Sequence, residues 1–278
     1  MKFTKLQGCG NDYLFVHLFG NTVPDPPGLA RRMSDRRFGV GADGLILVTE
    51  AIDADIGMEM YNADGSRAQM CGNGLRGLCK YAYDHGLVSK TAFDVKTDSG
   101  VLPVELHLKD GKVDRVTVNM GRPSLNRGDL PMEGPAGPAI EARVRAGRHE
   151  IVGTAVSMGN PHFVVFVEGD VDAYPVEEVG PLVERHPLFP HRVNTEFVQV
   201  VGPREVRQRT WERGTGETLA CGTGASAVCV AGMTVGVTQS PLTVHLRGGD
   251  LEIAWGGKGT PVFMTGPAVE VFSGEWPE

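Results

Sequence analysis

Two cysteines open copies of the same nine-residue pattern, and that pattern is able to do acid–base chemistry. Cys71 begins Cys-Gly-Asn-Gly-Leu-Arg-Gly-Leu-Cys, and Cys221, 150 residues later, begins Cys-Gly-Thr-Gly-Ala-Ser-Ala-Val-Cys. A duplicated fold can bring two such thiols face to face, where one acts as acid and the other as base on opposite faces of a single carbon. The pair therefore indicates a site that inverts a stereocentre.

The residues after each cysteine predict an α-helix, because apolar or small residues recur at i, i+3, i+4 and i+7. These are Leu75, Leu78, Cys79 and Ala82 in the first copy, and Ala225, Val228, Cys229 and Gly232 in the second. Each Cys-Gly-x-Gly should then lie at a helix N-terminus. Such an end carries about half a positive charge, which predicts a thiol pKa lowered toward neutrality.

The same N-terminal N–H groups can bind a carboxylate. An amino acid held between two such helix ends would have its Cα flanked by two sulfur atoms. One cysteine, as the thiolate, would remove the α-proton, and the other, as the thiol, would return a proton from the far side, with glycines permitting close approach of the backbone.

A second pair of segments supports an internal duplication. Gly10-Asn11-Asp12-Tyr13 and Gly159-Asn160-Pro161-His162 each precede an apolar run, in nearly the same register as the cysteine repeat. We therefore predict two similar domains related by a pseudo-two-fold axis.

Composition favours a small-molecule ligand. The formal charge is −7, with 27 basic and 34 acidic residues and no run of Lys or Arg, which argues against nucleic acid or an anionic membrane as the partner. Residues 1–20 lack the apolar region of a signal peptide. Five cysteines without disulfide-framework spacing suit a reducing compartment, so a cytoplasmic protein is expected.

Short β-type runs separated by Gly, Pro, Asn and Asp predict a mainly antiparallel α+β fold. The runs are 45–48, 92–96, 113–119, 163–167, 197–201, 242–246 and 251–255. Further helices are predicted at Gly28 to Asp35 and Pro175 to Arg185. The stretch from Gly121 to Pro138 contains four prolines and is the best candidate for a linker.

Six motifs closely resemble those of the diaminopimelate epimerases, a family that needs no pyridoxal phosphate. They are Gly8-Cys9-Gly10-Asn11-Asp12, Tyr61-Asn62-Ala63-Asp64-Gly65-Ser66, Met70-Cys71-Gly72-Asn73-Gly74, Ser157-Met158-Gly159-Asn160-Pro161-His162, Arg192-Val193-Asn194, and the run from Trp211 to Gly224. The likeness extends from residue 2 to about residue 272.

The resemblance implies an isomerase that interconverts LL- and meso-2,6-diaminoheptanedioate in the lysine and peptidoglycan pathway, with no cofactor. It implies a homodimer whose subunit has two pseudo-symmetric domains, each a mainly antiparallel sheet or barrel around a long central helix, with the active site in the cleft between them. The last strand should return to the first domain, so the expected boundaries are 1–119 plus 265–278, and 120–264.

By the same resemblance, Cys71 and Cys221 are the acid/base pair, and His162 and Glu212 tune the two thiols. The expected substrate-binding residues are Asn11, Asn62, Gly72, Asn73, Asn160, Asn194, Glu212, Arg213, Gly222 and Thr223. Their chemistry fits: the Arg213 guanidinium suits a distal carboxylate bidentately, and Glu212 suits an ammonium. One departure is Gly44, where many family members have Gln.

Structural interpretations compete with several of these roles. Cys79 and Cys229 lie on the apolar helix face and are expected to be buried packing residues, while Cys9 stays undecided. The four asparagines can be ordinary turn residues. Glu212-Arg213 can be a surface ion pair, and His162 a core histidine.

Other functions are less well supported. Gly39 to Gly44 and Gly72 to Gly77 match Gly-x-Gly-x-x-Gly, but neither lies between a buried strand and a helix as dinucleotide binding requires. No spacing indicates a metal site, and no lysine motif indicates pyridoxal phosphate. A proline-racemase-type enzyme, which typically has His at the position of Asn73, and a thiol redox protein remain as alternatives.

Overall fold

The computed structural model describes residues 1–20, 22–68 and 71–277, so Met70 of the first cysteine motif lies outside the described residues. In chain order the strands are β1 (Lys2–Gly8), β2 (Asn11–His17), β3 (Gly44–Thr49), β4 (Ile56–Asn62), β5 (Arg67–Ala68), β6 (Ala92–Thr97), β7 (Gly100–Lys109), β8 (Lys112–Asn119), β9 (Ala142–Ala146), β10 (His149–Ser157), β11 (Pro161–Phe166), β12 (Asn194–Gly202), β13 (Glu205–Glu212), β14 (Gly216–Thr218), β15 (Leu242–Leu246), β16 (Gly249–Trp255), β17 (Val262–Pro267) and β18 (Val269–Glu275). The helices are α1 (Pro26–Ser34), α2 (Gly72–Asp84), α3 (Val176–Glu184) and α4 (Gly222–Val235), with short 3₁₀ turns at Arg127–Asp129 and Val171–Ala173.

The chain divides into two compact units. The first is Met1–Asn119 with Thr265–Glu278, and the second is Met120–Met264. In the first unit β1 pairs with β2 antiparallel, β2 with β3 parallel, and β3 with β4 antiparallel. β4 then pairs antiparallel with β5 and parallel with β6, and β6, β7 and β8 continue antiparallel.

The second unit repeats this connectivity strand for strand. β10 pairs with β11 antiparallel, β11 with β12 parallel, and β12 with β13 antiparallel. β13 then pairs antiparallel with β14 and parallel with β15, which pairs antiparallel with β16. The registers also correspond, since Tyr13 lies opposite Gly44 and His162 lies opposite Asn194. The predicted α+β class and the internal duplication are confirmed.

The two cysteine-led helices begin as the sequence predicts. Cys71 and Cys221 are N-cap residues with extended backbones, at φ −136° and −132°, and Gly72 and Gly222 are the first helical residues. Helix α4 is buried on all sides from Gly224 to Gly232, as expected of a helix enclosed by a sheet. It ends at Gly236, whose left-handed conformation (φ 79°) caps the helix.

The shorter helices also occupy their predicted positions. Helix α1 starts two residues earlier than predicted, because Asp25 caps it by accepting a hydrogen bond from the N–H of Gly28 and two prolines fill its first positions. Each predicted β-run overlaps a strand, although Val167 falls just outside β11.

The predicted linker is wrong in one respect. The stretch from residue 121 to 138 contains only a 3₁₀ turn, as its prolines require, but it is packed rather than free. Leu130 and Met132 are buried in the core of the second unit, and Ser124 forms a bridge with Ser157. Burial of these two apolar side chains and backbone hydrogen bonds between Ser124 and Ser157 hold this stretch against the core.

The end of the chain completes the first unit. β18 pairs antiparallel with β1, from Lys2 opposite Glu275 to Gln7 opposite Val269. Just before β18, the carbonyl of Pro267 accepts a hydrogen bond from Nε of the fully buried Arg76 on α2, at 3.1 Å. The segment that carries Cys71 is therefore held by residues from both ends of the sequence.

The core of the second unit offers a test of packing. Phe163 is fully buried, with its ring centroid 5.4 Å from that of Phe189. We expect Phe163→Ala to lower the free energy of unfolding by about 3–5 kcal/mol, because it removes buried area and leaves a cavity. Phe38→Ala is the control: Phe38 is 90% exposed, so a change within about 0.5 kcal/mol is expected. Equal losses in denaturant titrations of the two variants would contradict this.

Candidate active site

The first half of the site is built around Cys71 at the start of α2. Its side chain is partly exposed, and Sγ lies 3.5 Å from Oδ1 of Asn11, to which the thiol can donate. Oδ1 of Asn11 also accepts a hydrogen bond from Nδ2 of Asn73 at 3.4 Å. Three of the predicted residues, Asn11, Cys71 and Asn73, therefore lie together.

Asp43, which sequence reasoning missed, fixes the orientation of Asn11. Nδ2 of Asn11 donates to Oδ2 of Asp43 at 2.6 Å, so the amide oxygen points toward Cys71. Asp43 also pairs with Arg36 at 2.9 Å, and Arg36 pairs with Asp12 at 2.8 Å. The signal was a charged residue beside a predicted strand, but Asn11, the residue that it orients, lies 32 residues away along the chain.

Tyr13 occupies the space beside Gly44. A Cβ placed on Gly44 would lie 3.1 Å from Cε1 of Tyr13 and only 2.3 Å from the carbonyl oxygen of Tyr61. The backbone in this chain therefore has no room for a side chain at residue 44. Burial, together with the nearby Cys71 thiol, raises the pKa of Tyr13 well above its usual range, so the phenol stays protonated.

Asn62 lies at the end of β4, where Nδ2 donates to Oγ of Ser66 at 2.9 Å across a turn. This contact fits the ordinary turn interpretation of the residue. The Asn62 side chain makes its hydrogen bond to Ser66 and not to Cys71, so this contact does not by itself support a role in substrate binding.

The second half of the site is built around Cys221 at the start of α4. This thiol is 7% exposed. Its Sγ accepts a hydrogen bond from the N–H of Gly224 at 3.4 Å and lies 3.4 Å from Oγ1 of Thr223. The arrangement matches the predicted role of a helix N-terminus as a source of N–H donors.

A hydrogen-bonded chain extends from Thr223 into the core. Nδ2 of Asn160 donates to Oγ1 of Thr223 at 3.2 Å, and Oδ1 of Asn160 lies 3.1 Å from Nε2 of His162. Nδ1 of His162 lies 2.8 Å from Oε1 of Glu196, and both of these side chains are fully buried. The predicted residues Asn160, His162 and Thr223 are therefore joined, and Glu196 is a fourth member that sequence reasoning missed.

The predicted direction of the thiol pKa is wrong for Cys221. Burial raises its pKa well above the usual value, and the nearby carboxylates of Glu212 and Glu196 raise it further. Hydrogen bonds from Thr223 and from the N–H of Gly224 act in the predicted direction but are outweighed. In this conformation Cys221 is a thiol.

Glu212 and Arg213 end β13 and open the following turn, but each has its own partner. Oγ1 of Thr218 donates to Oε1 of Glu212 at 2.6 Å, while Nη1 of Arg213 donates to the carbonyl of His191 at 3.1 Å. The backbone N–H of Arg213 donates to Oδ1 of the buried Asn194 at 2.8 Å, which joins two predicted residues. The surface ion pair considered from sequence does not occur among these contacts.

Two further cysteines are packing residues, as predicted. Cys79 and Cys229 are fully buried on α2 and α4. Burial raises the pKa of Cys229 to about 12 and that of Cys79 higher still. Cys9 is also buried and has a left-handed backbone at φ 53°, with Sγ 3.9 Å from Nη2 of Arg76.

Within the described part of the chain, no group of three or more His, Cys, Asp or Glu side chains is placed to hold a metal ion. No helix among these residues is both long and apolar enough to cross a membrane.

The fold places this chain among proteins with the same duplicated α+β architecture. A phenazine biosynthesis protein of the PhzF family from Bacillus anthracis superposes with a TM-score of 0.73 at 17% identity, covering 100% of this chain and 99% of that one. A hydroxyproline epimerase from Agrobacterium vitis superposes with a TM-score of 0.69 at 17% identity, covering 99% and 90%. At this level of identity the likeness concerns the fold alone.

Sequence comparison is more specific. The family model for diaminopimelate epimerase matches residues 3–126 and 154–271. Diaminopimelate epimerases from Pelotomaculum thermopropionicum and Moorella thermoacetica are 51% and 50% identical to this chain, each covering 100% of it and 99% of the relative. The chain belongs to the diaminopimelate epimerase family.

Glu212 provides a test of the electrostatics of the second half-site. Burial raises its pKa above the usual 4.5, so the folded protein holds this proton more tightly than the unfolded chain does. The stability gained from this tighter proton binding is present below the pKa of Glu212 in the unfolded chain, and it is lost as pH rises through the pKa in the folded protein. Glu212→Gln cannot ionise, so its stability relative to wild type should increase with pH across this window, by at most about 1.4 kcal/mol per pH unit.

Glu217→Gln is the matched control for this experiment. Hydrogen bonding to Arg209 lowers the pKa of Glu217, so the stabilising charge is present above the unfolded pKa and is lost as pH falls through the folded pKa. Relative to wild type, this variant should lose stability as pH rises. Denaturant titrations across the acid range measure both slopes, and slopes of the same sign would contradict the assignment.

Proposed function

We propose that this protein epimerises LL-2,6-diaminoheptanedioate to the meso isomer without a cofactor, using Cys71 and Cys221 as an acid/base pair. The observation that carries the proposal is that each cysteine is the N-cap of a helix, next to Gly-x-Gly, in one of two units of identical connectivity. Membership of the family supports diaminopimelate as the substrate. The cysteines at the two helix N-termini support the acid–base reaction.

The proposed reaction is a proton exchange at one carbon. A thiolate takes the proton from Cα, and the electron pair of the C–H bond is left on a planar, carboxylate-stabilised carbanion. The opposite thiol then gives its proton to the other face, so one cysteine ends as the thiol and the other as the thiolate. No oxidant or reductant is required.

The carbanion needs stabilisation, because an amino acid's α-proton is very weakly acidic. We propose that backbone N–H groups of Gly72, Asn73, Gly222 and Thr223 hold the reacting carboxylate. These residues lie in the first turns of α2 and α4, where N–H groups lack partners within the helix. In comparable sites, each preorganised donor contributes about 3–4 kcal/mol to the stabilisation of developing charge.

The rest of the substrate would be read by polar side chains of both units. Arg213 is exposed and suits the distal carboxylate, while Glu212 suits an ammonium. Asn11, Asn62, Asn160 and Asn194 would complete the hydrogen bonds, and His162 and Glu212 would tune the thiols. The contacts of Asn11 with Cys71 and of Asn160 with Thr223 support these roles.

We further propose that the protein acts in the cytoplasm as a homodimer, in the lysine and peptidoglycan pathway. Five free cysteines, Cys9, Cys71, Cys79, Cys221 and Cys229, suit a reducing compartment. The dimer rests on the family resemblance, and sedimentation equilibrium measures it directly.

Cysteine replacement tests the reaction. In D2O without added cofactor, the protein should convert LL-diaminopimelate to the meso isomer and place deuterium at the α-carbon. Cys71→Ala and Cys221→Ala should each reduce epimerisation by about 10²- to 10⁴-fold, the usual contribution of a positioned acid or base. Cys229→Ala is the control and should keep turnover, because Cys229 is a packing residue.

Either single variant retaining full turnover would contradict the two-base scheme. Turnover of proline, histidine or glutamate in place of diaminopimelate would favour a racemase of another specificity.

Oxidation tests whether the two sulfur atoms can approach each other as the proposed reaction requires. We expect mild oxidation to join Cys71 and Cys221 in a disulfide with loss of epimerisation, reversed by a reducing agent. Peptide mapping by mass spectrometry identifies the link. A map of the inactivated protein without a peptide joining these two cysteines would refute the expectation that the sulfur atoms share one substrate centre.

A further inference from the structure

The duplication allows the two cysteine sites to be compared position by position, and one difference is a buried charge. Ile46 is the third residue of β3, and Glu196 is the third residue of β12, the corresponding strand. A Cβ on Gly74 would lie 2.8 Å from Cδ1 of Ile46, and a Cβ on Gly224 would lie 2.6 Å from Oε1 of Glu196. The same close contact with the first turn of the helix is made by a methyl group in one unit and by a carboxylate in the other.

The neighbouring strand differs in a matching way. Tyr13 on β2 lies opposite Gly44, and His162 on β11 lies opposite Asn194. The second unit therefore has a His–Glu pair where the first has a Tyr–Ile pair. Nδ1 of His162 and Oε1 of Glu196 are 2.8 Å apart, and neither side chain has any exposed surface.

Stability alone does not account for this pair. Moving a carboxylate out of water costs several kcal/mol even after relaxation, and a hydrophobic pair of similar volume is often at least as stable. Oε2 of Glu196 is buried and has no hydrogen-bond partner among the described residues, which adds to that cost. Ile46 shows that an uncharged side chain suits the same position of the fold.

The negative charge of Glu196 affects the pKa of the Cys221 thiol. The carboxylates whose charges act on this thiol are Glu212 on β13 and Glu196 on β12, and His162 on β11 pairs with Glu196. Other strands packed on α4 present buried uncharged residues, such as Ala155 on β10 and Ile253 on β16. Burial is the largest cause of the raised pKa of Cys221, the carboxylates of Glu212 and Glu196 raise it further, and hydrogen bonds from Thr223 and the N–H of Gly224 lower it.

We propose that Glu196, paired with His162 and held against Gly224, is a positioning residue whose charge further opposes ionisation of the buried Cys221 and makes the two cysteines chemically unequal. The proposal rests on the proposed function for its significance. In that reaction one cysteine is the thiolate and the other the thiol, and two thiols of equal pKa would take these forms without preference. Its physical content is a charge effect at one sulfur atom, and it can be measured without substrate.

The experiment is alkylation by iodoacetamide across a range of pH, resolved for each cysteine by mass spectrometry. The reagent attacks the thiolate, so the rate at each site follows that site's ionisation. Glu196→Gln removes the charge while keeping the shape and a hydrogen bond to His162. We expect the midpoint of the Cys221 profile to fall by about one pH unit or more, the scale of a neighbouring like charge.

At a pH below both midpoints, a fall of one unit should speed alkylation of Cys221 about threefold. The thiolate fraction rises tenfold, but a less basic thiolate is about threefold less nucleophilic. Glu196→Asp, which keeps the charge but withdraws it from Gly224 by one methylene, should move the midpoint in the same direction by less.

Two controls separate a local effect from a general one. Cys71 is the internal control, and its profile should not change in the Glu196 variants. Glu184→Gln removes another buried carboxylate of the second unit, one that accepts hydrogen bonds from Trp211 and Gly214. It should leave the Cys221 profile in place.

An unchanged or raised Cys221 midpoint in Glu196→Gln would overturn the proposal, as would an equal shift in Glu184→Gln. If Glu196→Gln does not fold cooperatively, Glu196→Asp carries the test, and an unchanged midpoint there overturns it equally. A failure of the proposed function is distinguishable, since wild type would then show no epimerisation of diaminopimelate whatever the alkylation profiles are.

Discussion

The start of a buried helix is the feature on which the rest of the structure depends. In each unit a cysteine with an extended backbone is followed by a glycine that begins the helix, and the helix packs against several strands. In α4 the N–H of Gly224 donates to the sulfur of Cys221, whereas in α2 the side chain of Cys71 accepts no such hydrogen bond. In both helices the first turn has N–H groups without partners inside the helix, and such groups can bind an anion. Strands and turns arrange polar residues around that point, but the donors themselves are main-chain N–H groups, which only a proline substitution removes.

Close packing at this point explains the glycines. Gly74 and Gly224 lie where a neighbouring strand presses on the first turn, and a Cβ would approach Ile46 or Glu196 closer than real contacts allow. The strand can therefore deliver a side chain directly to the helix end. The corresponding strand position is apolar in the first unit, as Ile46, and charged in the second, as Glu196. The duplicated backbone therefore carries two chemically different sites.

The features that could be predicted from the sequence are those set by residues close together in the chain or by a repeated motif. The helix starts at Gly72 and Gly222 followed from the apolar spacing after Cys-Gly-x-Gly, and the duplication followed from the register of the two copies. The roles of Asp43 and Glu196 did not, because their partners Asn11 and His162 lie more than 30 residues away and meet them only across paired strands. The thiol pKa of Cys221 was predicted in the wrong direction, because local sequence shows the helix end but not the depth of burial.

The pairing of β1 with β18 has a consequence for how the molecule is made. A ribosome makes β1 before the second unit and β18 after it, so the first unit lacks the β18 strand and the Pro267 carbonyl that holds Arg76 until the whole second unit has been made. The second unit is continuous from Met120 to Met264, so all of its residues are made before β18. The chain of the unit that carries Cys221 is thus complete before the chain of the unit that carries Cys71, although its first residue is encoded later.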